Sequence, residues 1–313
     1  MSRIVISGAS GDLGRRVTRL LLDEDPGVEL TLVTRTPEKL ADRVAQGVPV
    51  LKGDYTDPDS LDAAYKGAET LFLISGLNLG RRVSEHRNAI AAAQRAGIRH
   101  IVYPSVGGVQ HPRNPAMSAK DHYQTEQDLR ASGITFTFLR NHLYAEIVSN
   151  IWIASVVENG RLEMACGQGS LSPVAKGDVA RSAAAVLRES ERHAGAVYEI
   201  TGPELLSMHD IVRIGSEVHG TPITYVPQTE EERLAFFDSV GLPRTYDPDM
   251  PPSSEGHMWA SDELVTADLA VAEGYQALLS HHVKLLTGRE PERLRTVMER
   301  VKGVRYDQIE DEA

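Results

Sequence analysis

Ile4-Val5-Ile6-Ser7-Gly8-Ala9-Ser10-Gly11-Asp12-Leu13-Gly14 decides how this chain folds. A short β-branched run ends in a glycine-rich turn, and an apolar-periodic segment begins at residue 12 directly after it. Glycines at 8, 11 and 14 between a strand and a helix predict a dinucleotide-binding turn of Rossmann type. Gly8 permits the tight turn, Gly11 lets the backbone approach a pyrophosphate, and Gly14 lets the helix lie close to the sheet. A helix N-terminus adds free N–H groups and partial positive charge, so Ser10, Asp12 and Leu13 join the glycines as candidate contacts. A plain strand-to-helix turn is the competing reading.

Working outward, short apolar runs at 3–7, 28–34, 48–52, 70–75, 99–103 and 135–139 read as strands. Helical patterns near 12–23, 37–45, 58–65, 80–96 and 118–131 lie between them, two of them followed by Gly97 and Gly133, suited to left-handed caps. This alternation predicts an α/β fold with a Rossmann-type, doubly wound parallel sheet. The regularity ends after Arg140. A helix over 174–189 capped by Asp178 and a strand over 196–201 are expected to return to the sheet, followed by helices at 207–219, 230–240, 261–287 and 291–301 and a proline-containing loop over 243–257. The division expected is a nucleotide-binding domain over 1–145, rejoined near 172–202, and a smaller, mostly helical lobe over 146–313.

Strand ends carry ligands in open α/β sheets. At the end of the second strand stands Arg35, where a cofactor lacking the extra phosphate would meet an acid on its ribose. A guanidinium holds a 2′-phosphate with parallel charge-assisted bonds, which favours NADP(H); a solvated arginine opening the Thr36-Pro37 turn is the alternative. Asp54 and Tyr55 follow the third strand, and Ser75, Gly76 and Leu77 the fourth, as further candidate cofactor contacts. Gly53-Asp54 is equally ordinary turn chemistry. Ser105, after the fifth strand, reads as a pocket wall.

Other classes fit poorly. The 313 residues carry a net charge of −11 with both signs interleaved, which disfavours a phosphate-backbone partner. The single cysteine, Cys166, allows neither an intrachain disulfide nor a cysteine-based zinc site. Ser105 lacks the flanking glycine of a hydrolase elbow, and the histidines lack metal spacing. No apolar stretch is long enough for a signal core or a membrane span, so a cytoplasmic protein acting on a small molecule is expected, with a homo-oligomer possible.

Further segments sharpen the reading. They are His122-Tyr123-Gln124-Thr125-Glu126, Thr137-Phe138-Leu139-Arg140-Asn141 with Tyr144, Gly167-Gln168-Gly169, Asp178-Val179-Ala180, Tyr198 to Pro203, and Leu286 to Pro291. In order and spacing the chain resembles the NmrA-like, atypical short-chain dehydrogenase/reductase family, in its quinone oxidoreductase and triphenylmethane reductase branch. The resemblance implies NADPH-dependent reduction of a quinone-like or conjugated small molecule, with Arg140 and Asn141 beside the nicotinamide. It also admits a non-catalytic NADP(H)-sensing regulator, because the group includes such proteins and this chain lacks a Tyr-x-x-x-Lys pair: Gln127 stands four residues after Tyr123. Without that lysine Tyr123 is a poor acid, and His122, where relatives carry Lys or His, is the better proton donor, oriented by Glu126 one turn on. A histidine that only packs is the alternative. Tyr144, Trp152, Phe236, Phe237, Met250 and Trp259 are candidate pocket linings.

Overall fold

Strands that read as unbroken apolar runs must be covered on both faces, and the chain supplies the helices to do it. The protein is described by a computed structural model over residues 3–76, 80–246 and 260–306. Strands β1 (Ile4–Ser7), β2 (Leu30–Thr34), β3 (Val50–Lys52), β4 (Thr70–Leu73), β5 (His100–Val106) and β6 (Thr135–Asn141) alternate with helices α1 (Asp12–Glu24), α2 (Ala41–Ala45), α3 (Pro58–Tyr65), α4 (Arg82–Ala96) and α5 (Met117–Ala131). Then come α6 (Ala145–Ile147), which runs into a π-helical turn at Val148–Ile153, β7 (Arg161–Met164), β8 (Ser170–Leu171), α7 (Lys176–Arg188) and β9 (Val197–Ile200). The remainder is β10 (Leu206–Ser207), α8 (Met208–His219), β11 (Thr224–Pro227), α9 (Glu230–Ser239), α10 (Ser261–Ala272), α11 (His282–Thr287) and α12 (Leu294–Val301).

Seven strands form one sheet in the order β3-β2-β1-β4-β5-β6-β9, and every pairing in it is parallel. The strand order reverses between β1 and β4, the crevice where dinucleotides bind in such sheets. Side chains alternate faces along each strand. Ile4 and Ile6 enter the core under α1 and α7, whereas Val5, Leu71 and Leu73 enter the opposite core under α3 and α4. Val186 and Leu187 of α7 are buried in the first core, each stabilising by about 1.5–3 kcal/mol relative to exposure. Gly97 and Gly133 take the left-handed conformation that their positions after helices require.

The later segments build a third core from Val148, Leu162, Leu171, Ile211, Tyr225, Val297 and Met298 among others. Two small ribbons brace it, β7 with β11 in parallel and β8 with β10 antiparallel. These short strands carry no alternation long enough to read in advance. Among the described residues no helix is long and apolar enough to cross a membrane.

Three expectations change. Strand β5 does not stop at Tyr103 but continues through Pro104, because β4 pairs with it only as far as Val102 and the proline's missing N–H has no strand to serve on that side. Helix α7 is not capped by Asp178. Its N-cap is Ala175, the Lys176 N–H donates to Glu146 at 3.0 and 3.2 Å, and Asp178 accepts from Arg181 and from the Glu292 N–H at 2.7 Å each. The single helix expected over 261–287 is two, since Gly274 adopts φ +81 and the chain turns before α11. That break brings Gln276 over the strand ends.

Candidate active site

The glycine turn separates three physical demands. Gly8 has φ +81, a region side chains avoid, and a Cβ there would lie 3.1 Å from Ile74 Cβ. At Gly14 a Cβ would meet Ala9 Cα and Gly8 O at 2.7 Å, both rigid backbone, so helix and turn touch only because no side chain intervenes. Gly11 is different. Its φ of −78 suits any residue, and the nearest atom to a Cβ there is Gly8 O at 3.5 Å. The fold leaves that space open, and the N-terminus of α1 has no side-chain cap, so a phosphate fits where a larger residue would obstruct it. These residues therefore suit an NAD(P)H pyrophosphate.

Around the turn, Ser10 Oγ lies 2.7 Å from Thr34 Oγ1, tying the turn to the end of β2. Arg35, the next residue, is exposed and makes no ion pair among the described residues. Asp54 uses its carboxylate locally, accepting from the Thr56 N–H at 2.9 Å and the Thr56 hydroxyl at 2.8 Å. The Tyr55 hydroxyl donates to Ile74 O at 2.7 Å, which closes the sheet edge. Ser75 donates to Gly76 O at 3.1 Å, and Leu77 lies outside the described residues. Asp12 opens α1 and pairs with Arg16 and with Lys176.

A mainly apolar cavity of about 340 Å³ lies beyond the strand ends. Leu13, Ser75, Gly76, Ser105, His122, Asn141 and Tyr144 line its sheet side, and Trp152, Val271 and Gln276 close it from later segments. Of the other expected linings, Phe237 is buried and Phe236 exposed, both beside Arg233 and neither on the cavity, while Met250 and Trp259 lie outside the described residues.

The neighbours Arg140 and Asn141 part company. Strand alternation sends them to opposite faces of β6. Asn141 reaches the cavity, where its Oδ1 is buried without a hydrogen bond in the protein. Arg140 turns towards α5 and clamps Glu126 with Nε at 3.0 Å and Nη2 at 2.8 Å, adding Glu199 at 3.3 Å. Glu126 also accepts from the Ser105 hydroxyl at 2.7 Å. Its carboxylate is thus committed to Arg140 and Ser105, and the orienting of His122 falls to another group.

That group is Tyr103, whose hydroxyl lies 2.7 Å from His122 Nδ1. Burial raises the phenol far above its ordinary value, so it stays protonated, and the hydroxyl either donates to Nδ1 or accepts from it according to the ring tautomer. Burial, then Arg82 and His86, hold His122 well below 6.5, so the ring is neutral at physiological pH. Tyr123, one residue on, is 40% exposed and does not line the cavity. Sequence reasoning missed His142, Gln276, Asp268 and Lys176. His142 lines the cavity and meets Glu199 at 3.2 Å; its only signal was adjacency to Asn141. Asp268 of α10 is pushed up to about 6 by burial, against the opposing effect of Arg233.

Comparison with known proteins gives this geometry a context. Residues 8–190 match the family described as NAD(P)H-binding. Quinone oxidoreductase 2 of Escherichia coli (strain K12) is 35% identical over 243 residues, covering 77% of this chain and 82% of that protein. The solved structure of an Escherichia coli NADPH-dependent quinone oxidoreductase complexed with NADPH superposes with a TM-score of 0.85 at 31% identity, covering 95% of this chain and 99% of that one. The Citrobacter sp. triphenylmethane reductase complexed with NADP(H) gives 0.81 at 28% identity, with coverage of 95% and 99%. By its glycine turn, its sheet and its extended likeness to these reductases, the chain belongs to the NAD(P)H-binding family, in the NmrA-like group of atypical short-chain dehydrogenases/reductases.

Proposed function

We propose that the protein is an NADPH-dependent reductase that passes hydride directly to a quinone-like or otherwise conjugated small molecule. The observation that carries this reading is the apolar cavity of about 340 Å³, set against the strand ends beside the glycine turn. Its size falls within the roughly 300–1,000 Å³ of small-molecule sites, and its lining holds a few convergent polar groups. In this reading residues 1–145, with 172–202 returned to the sheet, hold the cofactor, and the rest of 146–313 covers the substrate. Arg35, free at the end of β2 where no acid stands, supports a preference for the 2′-phosphorylated cofactor.

NADPH supplies the hydride when bound, and the chain supplies position, dryness and polarisation. Trp152, Val271 and Gln276 line the cavity from later segments, where a bound substrate packed against them would displace water. His122, neutral and fixed by Tyr103, offers Nε2–H to a substrate oxygen in the tautomer whose Nδ1 accepts from the Tyr103 hydroxyl, and this favours negative charge developing there. A ring held below 6.5 is not an imidazolium acid at neutral pH, so its contribution is a hydrogen bond. The test is anaerobic NADPH oxidation against quinones, enones, imines and cationic dyes. Turnover of any class supports the reading; NADPH binding without oxidation of the whole panel, together with cofactor-dependent affinity for a protein partner, would replace it with a sensor.

A further inference from the structure

Lys176 begins α7 although the partial positive charge of a helix N-terminus disfavours a cation there. Its side chain is only 11% exposed, which adds a desolvation cost. Both costs are accepted beside the glycine turn. The ammonium lies 2.7 Å from Asp12 Oδ2, and Asp12 opens α1, the helix whose N-terminus faces the open space above Gly11. The Tyr306 and Tyr144 rings flank it, their centroids 4.4 and 6.0 Å from Nζ. Burial works against the charge, but Tyr306 and Asp12 outweigh it and the lysine titrates above its ordinary value.

A carboxylate at the first position of α1 is a liability for a doubly negative pyrophosphate. Asp12 meets two cations, Arg16 and Lys176, so the three groups sum to +1 at the turn. Removing Lys176 brings these three groups from +1 to zero and leaves Arg15, whose Nε donates to Ser10 O at 3.1 Å, as a cation at the turn. Helix packing needs no such pair, because α1 and α7 already meet through Val17, Leu21, Ala183 and Val186.

We propose that Lys176 is a cofactor-binding residue whose ammonium, tethered by Asp12 beside the glycine turn, counters the pyrophosphate of the bound dinucleotide. This rests on the NAD(P)H-binding reading and deepens it. The assay is equilibrium binding to the full chain, with NADPH and with adenosine 2′-monophosphate, which lacks the pyrophosphate, as probes. Lys176→Gln should weaken NADPH about tenfold or more and leave the nucleotide fragment unchanged, and Lys176→Arg should retain most of the affinity. Asp12→Asn removes a repelling charge while its amide oxygen can still accept from the ammonium and hold it in place, so it should tighten NADPH a few-fold. Unchanged NADPH affinity in Lys176→Gln, an equal loss for both probes, or weaker NADPH binding in Asp12→Asn each overturns the assignment. A wild-type chain that binds neither NADPH nor NADH is a separate result, which removes the cofactor reading itself.

Discussion

Alanine at Gly11 and alanine at Gly14 add the same methyl group three residues apart and should fail in opposite ways. At Gly14 the new Cβ lies 2.7 Å from Ala9 Cα and from Gly8 O and 2.8 Å from Ala9 O. These are backbone atoms, so α1 must back away by about 0.7 Å to restore ordinary contact, and overpacking of this kind costs about 1–3 kcal/mol. The better helix propensity of alanine offsets up to about 1 kcal/mol, leaving a net loss near 1–2 kcal/mol. For a chain of this size that lowers Tm by about 1.5–3 °C. At Gly11 the Cβ meets only Gly8 O at 3.5 Å with φ −78, so apo stability should stay within about 0.5 kcal/mol. The methyl instead fills the approach to the α1 N-terminus, and NADPH affinity should fall at least tenfold. Thermal unfolding without cofactor and fluorescence titration with NADPH read the two effects separately. Unaltered NADPH affinity in folded Gly11→Ala would falsify the role given to that space, and an unaltered Tm in Gly14→Ala would refute the packing argument.

Arg35→Ala should weaken NADPH by about 1.5–3 kcal/mol and leave NADH nearly untouched, and equal losses for both cofactors would remove the 2′-phosphate assignment. His122→Ala should lower kcat by tenfold or more with cofactor affinity retained, whereas Tyr123→Phe should change little because that ring is 40% exposed and off the cavity; the reverse ranking restores a tyrosine mechanism. Acid should destabilise the fold, because burial lowers His86 to about 3, His100 to about 4 and His122 well below 6.5. Above about pH 6.5 neither state protonates these rings; below it the unfolded chain takes up protons that the folded chain refuses, so stability declines by up to about 1.4 kcal/mol per pH unit per histidine until the folded pKa is reached. His100→Gln keeps a polar partner for Thr137 and should recover about 2 kcal/mol of the loss between pH 7 and 5 in urea unfolding; an unchanged pH dependence would contradict the buried, neutral ring.

Local pattern determined a good deal of this protein. The Gly8-Gly11-Gly14 spacing, the apolar strand runs and the glycine caps are short-range features, set by backbone sterics and by periodicity, and they specified the wound parallel sheet and the edge that carries the turn. The motif order also carried the family. Facing was decided only in three dimensions. Arg140 and Asn141 are consecutive letters, yet strand alternation gives one to an ion network and the other to the cavity. Glu126 stands one helical turn from His122, but the stronger demand of a buried guanidinium took its carboxylate, and Tyr103 of β5 took the ring. The helix break at Gly274 and the pairing of Lys176 with Asp12 join residues more than 150 positions apart to the same edge, through contacts that no window of sequence contains. Hydrogen bonds and burial between distant segments have no sequence period, and for that reason the tertiary structure alone decided which side chains share the site.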